Sequence, residues 1–113
     1  MKYNMKDTLG VNVIEVKGKL EGGPGASEFQ DMIASKIDEG NKKFVVDLSD
    51  VKFVNSTGIG ILIRAYTTLR NGGGDMKLAA ISDKVQGVLS ITKLDTIFNY
   101  FDTVNDAVRS FDE

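Results

Sequence analysis

The segment VKFVNSTGIGIL, residues 51–62, decides the fold, because here an apolar run passes through a short polar turn into a helical pattern. From Ile59 onward, apolar side chains recur at the three- and four-residue spacing that lines one face of an α-helix. Asn55 and Ser56 stand in front of this pattern, and either side chain can accept a hydrogen bond from the unpaired N–H groups of a first turn. The sequence therefore predicts a helix from about Thr57 to Asn71, with Asn55 or Ser56 as its N-cap.

Two glycines, Gly58 and Gly60, lie in the first turn of this predicted helix. A glycine inside a helix costs about 1 kcal/mol relative to alanine, so their presence favours a close approach by a partner or by a bound anion. The N-terminal end of a helix also carries the positive end of the helix dipole, which attracts negative charge. Ser or Asn before a helix is, by itself, more often a plain cap. The two glycines are what make the turn a candidate functional site.

Composition limits the chemistry that the chain can perform. Its 113 residues are enough for one domain, residues 1–113, and 42% apolar with 27% charged residues is ordinary for a globular protein. The net charge is −2 without a run of Lys or Arg, which argues against nucleic-acid and membrane surfaces as partners. Cysteine and histidine are both absent, so Cys-His and Ser-His-Asp arrangements and the usual zinc sites are excluded. We expect no enzyme, no metal and no cofactor.

The ends of the chain and its apolar runs bear on location. The first residues lack the apolar core of a signal peptide, and no apolar run approaches the length of about 18 residues that a membrane span needs. We therefore expect a cytoplasmic protein whose partners are proteins or small molecules.

The rest of the chain alternates strand patterns with helix patterns. The predicted elements are strands at Met1–Lys6 and Val11–Val16, a helix at about Gly25–Glu39, a strand at Phe44–Leu48, the helix at Thr57–Asn71, a strand at Met76–Ile81, a short helix capped by Ser82, a strand at Ile97–Phe101 and a terminal helix that starts at Thr103. The order β-β-α-β-α-β-α-β-α predicts a single α/β domain. Its mixed, mostly parallel sheet has about five strands with about four helices, and the first two strands form an antiparallel hairpin.

Two enzyme-like motifs are weak. Residues 57–60 read TGIG and hint at a nucleotide loop, yet neither G-x-G-x-x-G nor G-x-x-x-x-G-K-[ST] is present nearby. Asp47, at the predicted end of the central strand, invites comparison with a phospho-acceptor aspartate. That chemistry needs a metal-binding acidic pair after the first strand, where only Asp7 is found. Asp47 is instead predicted to stabilise the following turn or the start of the helix.

Residues 46–60, VDLSDVKFVNSTGIG, resemble the signature of the STAS family. The match is to the bacterial anti-sigma factor antagonists, in which a D-L-x-x-V-x-F-x-D-S-[ST]-G-[LI]-G segment carries a regulatory serine. The predicted order of strands and helices agrees with the family over nearly the full length.

This resemblance implies a regulatory switch. Ser56 matches the serine that a partner kinase, itself an anti-sigma factor, phosphorylates from bound ATP, and Thr57 is a second candidate acceptor. The unphosphorylated protein would bind the anti-sigma factor, and a PP2C-type phosphatase would restore it after phosphorylation. The expected partner-binding residues are Asn55, Ser56, Thr57, Gly58 and Gly60.

The chain departs from the family at Asn55, where aspartate is usual. The family's other common acidic residue, after the second strand, lies in a loop that here reads LEGGP, residues 20–24. Asparagine keeps the capping geometry but removes the charge. An alternative function therefore stays open, in which the domain is an unphosphorylated scaffold or an accessory subunit of another complex.

Overall fold

The computed structural model describes residues 2–93 and 96–112, which form a five-stranded sheet and four α-helices. In chain order the elements are β1 (Lys2–Thr8), β2 (Val11–Leu20), α1 (Pro24–Asp38), β3 (Lys43–Val54), α2 (Ser56–Asn71), β4 (Asp75–Ala79), α3 (Asp83–Ile91), β5 (Tyr100–Phe101) and α4 (Val104–Ser110). The predicted order of strands and helices is confirmed.

The five strands lie side by side in the order β1-β2-β3-β4-β5. β1 pairs with β2 antiparallel, and the three remaining pairs are parallel, as predicted. The hairpin turns through Leu9 and Gly10, whose φ angles of 54° and 82° are both positive. Two positive φ angles are what a two-residue hairpin turn requires.

The sheet is covered unequally on its two faces. A large core joins one face to α1, α2 and α3, whereas a smaller core joins the other face to α4 alone. Val13 and Ile14 are both fully buried, and they belong to different cores. Burial on both faces of β2 thus explains why its apolar pattern does not alternate at this point. Of the described helices, none has the length and hydropathy needed to span a bilayer.

The predicted end of the central strand is corrected. The central strand does not close near Asp47 but runs on to Val54, so that the apolar run after Asp50 is its second half. The Asp47 carboxylate accepts a hydrogen bond from the Ser49 N–H at 3.0 Å, within the strand itself. Asp47 is therefore not positioned to stabilise the turn at Asn55.

The last two strands are shorter than predicted. β4 ends at Ala79, because Ala80 takes a left-handed φ of 58° that turns the chain away from the sheet. β5 contains only the two residues that pair with the end of β4. Phe98, which was expected in this strand, instead packs its buried ring against Tyr66 with 5.0 Å between the ring centroids.

Candidate functional site

The turn between β3 and α2 lies where two parallel strands end side by side. Leu20 and Val54 are paired at the last positions of β2 and β3, and the Asn55 N–H donates to the Leu20 carbonyl at 3.4 Å. The loop from Glu21 to Gly23 therefore lies next to the turn. Carboxyl ends of neighbouring parallel strands are where α/β proteins usually place their sites.

Asn55 is the N-cap of α2. Its backbone is extended, its side-chain Oδ1 accepts the Gly58 N–H at 2.8 Å, and its main-chain carbonyl accepts the Ile59 N–H at 3.0 Å. The sequence left open whether Asn55 or Ser56 is the N-cap. The structure shows that it is Asn55, and that Ser56 is the first residue of the helix. The helix starts one residue earlier than predicted and ends at Asn71, as predicted.

The two candidate acceptors, Ser56 and Thr57, are both exposed. The first amides of a helix have no carbonyl partner within it, and the Asn55 side chain satisfies only that of Gly58. A negative group on Ser56 would therefore meet the positive end of the dipole. Residues 55–60 contain no ionisable side chain, so this segment supplies no base for either hydroxyl.

Gly58 is buried, and the group that lies closest to it is the Leu20 carbonyl at the end of β2. A Cβ placed on Gly58 would lie 1.8 Å from the Leu20 carbonyl oxygen and 2.4 Å from its carbon, which no side chain can do. Glycine is needed here so that α2 can start directly against the end of β2. This burial removes Gly58 from the surface that we expected a partner to contact.

Thr57 is in contact with the neighbouring loop. A Cβ on Gly22 would lie 2.6 Å from the Thr57 methyl carbon, so the loop after β2 passes closely over this side chain.

A groove, which we call the α1–α2 groove, opens beside the turn. Its volume is about 560 Å³, and it is lined by Gly22, Gly23, Ala26, Ser27, Gln30, Asp31, Thr57, Gly60, Ile61 and Arg64. At its base the Gln30 Nε2 donates to the Ile61 carbonyl at 2.9 Å and ties the two helices together. Sequence reasoning missed Gln30, Asp31 and Arg64, and the signal that could have found the groove is the set of small residues at the starts of both helices.

The described residues hold no cluster of three or more metal-ligating side chains. The turn itself offers two exposed hydroxyl groups at the start of a helix.

The chain matches one family model and several known proteins. The model for the STAS domain matches residues 2–107. A Thermotoga maritima protein designated an anti-sigma factor antagonist is 32% identical over 73 residues, a match that spans 65% of this chain and 65% of that relative. The crystal structure of a Thermotoga maritima protein with the same designation superposes with a TM-score of 0.88 at 25% identity, covering 98% of this chain and 95% of that one.

A third comparison concerns the Bacillus cell fate determinant SpoIIAA in its phosphorylated form. It superposes with a TM-score of 0.75 at 18% identity and covers 97% of this chain and 99% of that one. At this identity the likeness is one of fold.

Proposed function

Because the chain belongs to the STAS domain family, we propose that it is an anti-sigma factor antagonist whose binding to an anti-sigma factor is controlled by phosphorylation of Ser56. The observation that carries this proposal is that the residue capping the helix and the residue offering an exposed hydroxyl are different residues of the turn. Asn55 caps the helix, which leaves the exposed Ser56 hydroxyl without that structural task. The relatives designated anti-sigma factor antagonists support the same function.

The position of Ser56 suits a switch that acts on the partner rather than on the fold. A phosphate adds about −1.5 to −2 charges, and at a helix N-terminus the dipole and the free amides compensate part of that charge. The same dianion inside an interface that offers no cation is strongly unfavourable. Phosphorylation therefore releases the partner while the domain stays folded.

The proposed reaction is phosphoryl transfer by the anti-sigma factor acting as a serine kinase. The Ser56 Oγ forms a bond to the γ-phosphorus of ATP, the bond to the ADP oxygen breaks, and the hydroxyl proton passes to a base. Since residues 55–60 have no ionisable side chain, the base and the metal ion come from the kinase. A PP2C-type phosphatase reverses the step by hydrolysis. Because the proposed kinase uses cellular ATP, we propose that this protein is located in the cytoplasm.

The proposal is tested by incubating the protein with ATP and with each purified anti-sigma factor kinase of the same genome. Intact-mass analysis should show the gain of one phosphate in the wild type and in Thr57→Val, which keeps the branched shape without a hydroxyl. Ser56→Ala should gain none. If Ser56→Ala gains a phosphate and Thr57→Val does not, the acceptor is Thr57.

The competing function, a scaffold or accessory subunit without phosphorylation, makes a different prediction in the same experiment. A kinase that binds the protein in isothermal titration calorimetry but transfers no phosphate would support it. Absence of both binding and transfer with every anti-sigma factor would contradict the antagonist function.

A further inference from the structure

Gly60 is a helical glycine that the described chain does not itself require. It lies inside α2 without a positive φ, and a Cβ built on it meets no atom within 4 Å. Alanine would fit there and would favour the helix by about 1 kcal/mol. Gly58, two residues earlier, is fixed by the Leu20 carbonyl, but nothing comparable explains Gly60. Gly60 thus leaves the α2 backbone bare at an exposed position where the fold would accept alanine.

Gly60 forms part of the wall of the α1–α2 groove, which has the character of a built cleft. The residues around it are mostly small, and the groove volume of about 560 Å³ is within the range of about 300–1,000 Å³ that is common for binding clefts. The hydrogen bond from Gln30 to the Ile61 carbonyl fixes the distance between its two walls.

Each wall also carries one exposed charge. Arg64 follows Gly60 by one helical turn on the same face of α2, and Asp31 stands on the α1 wall. No ion pair within the described residues involves either side chain. Arginine is enriched at the centres of protein interfaces, where it binds carboxylates in a planar, two-pronged geometry.

We propose that the α1–α2 groove receives an apolar side chain of the anti-sigma factor, flanked by a carboxylate of that partner which pairs with Arg64. This inference rests on the proposed function and adds the contact by which the partner is recognised. Thr57 lines the groove, so a partner seated there reaches the edge of Ser56. Asp31 repels the same carboxylate from the opposite wall and so fixes the direction of the bound segment.

The test uses the anti-sigma factor that binds the wild-type protein in calorimetry. Gly60→Ala fills the groove with a methyl group, and we expect its Kd for that partner to rise by about tenfold or more, as for a residue at the centre of an interface. Gly87→Ala is the matched control, because Gly87 is also helical and its Cβ would also meet no atom within 4 Å. Its Kd should stay within about twofold of wild type while its thermal midpoint rises like that of Gly60→Ala.

Arg64→Glu tests the charge. We expect a loss of about tenfold or more, with Arg64→Lys intermediate because lysine keeps the charge without the planar fork. If Gly60→Ala and Arg64→Glu both bind the anti-sigma factor as tightly as the wild type, the proposal that the partner binds in the α1–α2 groove is wrong. The proposed antagonist function would still stand. If no anti-sigma factor binds the wild type, both proposals fail.

Discussion

At the scale of single residues, Asn55 separates the capping of α2 from the chemistry of Ser56. Replacing Asn55 by alanine removes the acceptor of the Gly58 N–H, and we expect unfolding free energy to fall by about 1 kcal/mol. Asn55→Asp keeps that acceptor and adds a negative charge to a first turn that has none, so it should raise stability by about 0.3–1 kcal/mol. Urea denaturation of the three proteins at pH 7 measures both effects.

The pH dependence of this gain identifies its cause. The carboxylate introduced by Asn55→Asp is stabilised by the helix dipole, so its pKa is lower in the folded than in the unfolded state. Its contribution is present above about pH 4 and is lost as the pH falls further. A gain that persists unchanged at about pH 2.5 would show that charge is not the reason.

Gly58→Ala adds only one methyl group, yet we expect it to lower the unfolding free energy substantially. The methyl group of Gly58→Ala would overlap the Leu20 carbonyl, so α2 has to move away from β2. We expect a loss of about 1–3 kcal/mol or more in unfolding free energy, which outweighs the helix-forming advantage of alanine. Gly60→Ala adds the same group two residues later and should be stabilising, so equal effects of the two substitutions would contradict this account.

Single-residue roles were only partly predictable from the sequence. The spacing of Asn55 and Ser56 before an apolar pattern identified a cap but not which residue provides it, because both side chains have suitable acceptors. The two glycines looked equivalent for a similar reason. Gly58 faces the backbone of β2, whereas Gly60 faces open space. That difference depends on a strand more than 30 residues away in the chain.

At the scale of secondary structure, the elements with strong periodicity were predicted well, whereas the positions at which strands end were not. The helix at residues 56–71 has a continuous apolar face, and its predicted end agrees with the structure. In β3, Asp47, Ser49 and Asp50 suggested an interruption, yet the strand continues because β2 pairs with it as far as Val54, well beyond the end of its pairing with β4 at Asp47. Pairing is a tertiary property, and a polar residue on a strand does not reveal it.

The smallest helix, α4, is held to the sheet by an unusual contact. Lys77 of β4 is only 9% exposed, and its Nζ donates to the Ser110 Oγ at 2.7 Å. The same Nζ lies 4.1 Å from the centroid of the Phe111 ring and 5.6 Å from that of Phe101. No carboxylate pairs with it among the described residues. The ammonium group is thus stabilised by a hydroxyl and two aromatic rings.

This contact predicts a coupling between Lys77 and Phe111. Phe111→Leu keeps an apolar side chain but removes the ring face, and it should lower unfolding free energy by about 0.5–2 kcal/mol. In a Lys77→Met background the same substitution should cost clearly less, because no cation remains above the ring. A double-mutant cycle measured by urea denaturation gives the coupling energy. Identical costs in both backgrounds would mean that Phe111 acts through its bulk alone.

At the scale of the whole molecule, the turn at Ser56 was predictable and the α1–α2 groove was not. The turn is a contiguous segment with a family resemblance, whereas the groove combines two helices and a loop that only the sheet brings together. The parallel pairing of β2 with β3 places both helix starts at one edge, and no periodicity within either helix reveals that arrangement.

The arrangement of the whole domain predicts that negative charge at residue 56 changes binding without changing the fold. Ser56 is exposed at the start of α2, outside both hydrophobic cores, and the helix dipole favours an anion there. Ser56→Asp should therefore keep the circular dichroism spectrum and a nearly unchanged thermal midpoint, while its affinity for the anti-sigma factor falls by about tenfold or more. Ser56→Asn, of similar size and uncharged, should bind far better than the aspartate variant. Unfolding of Ser56→Asp would refute the switch as an interface effect, because the loss of binding would then follow from the loss of the fold.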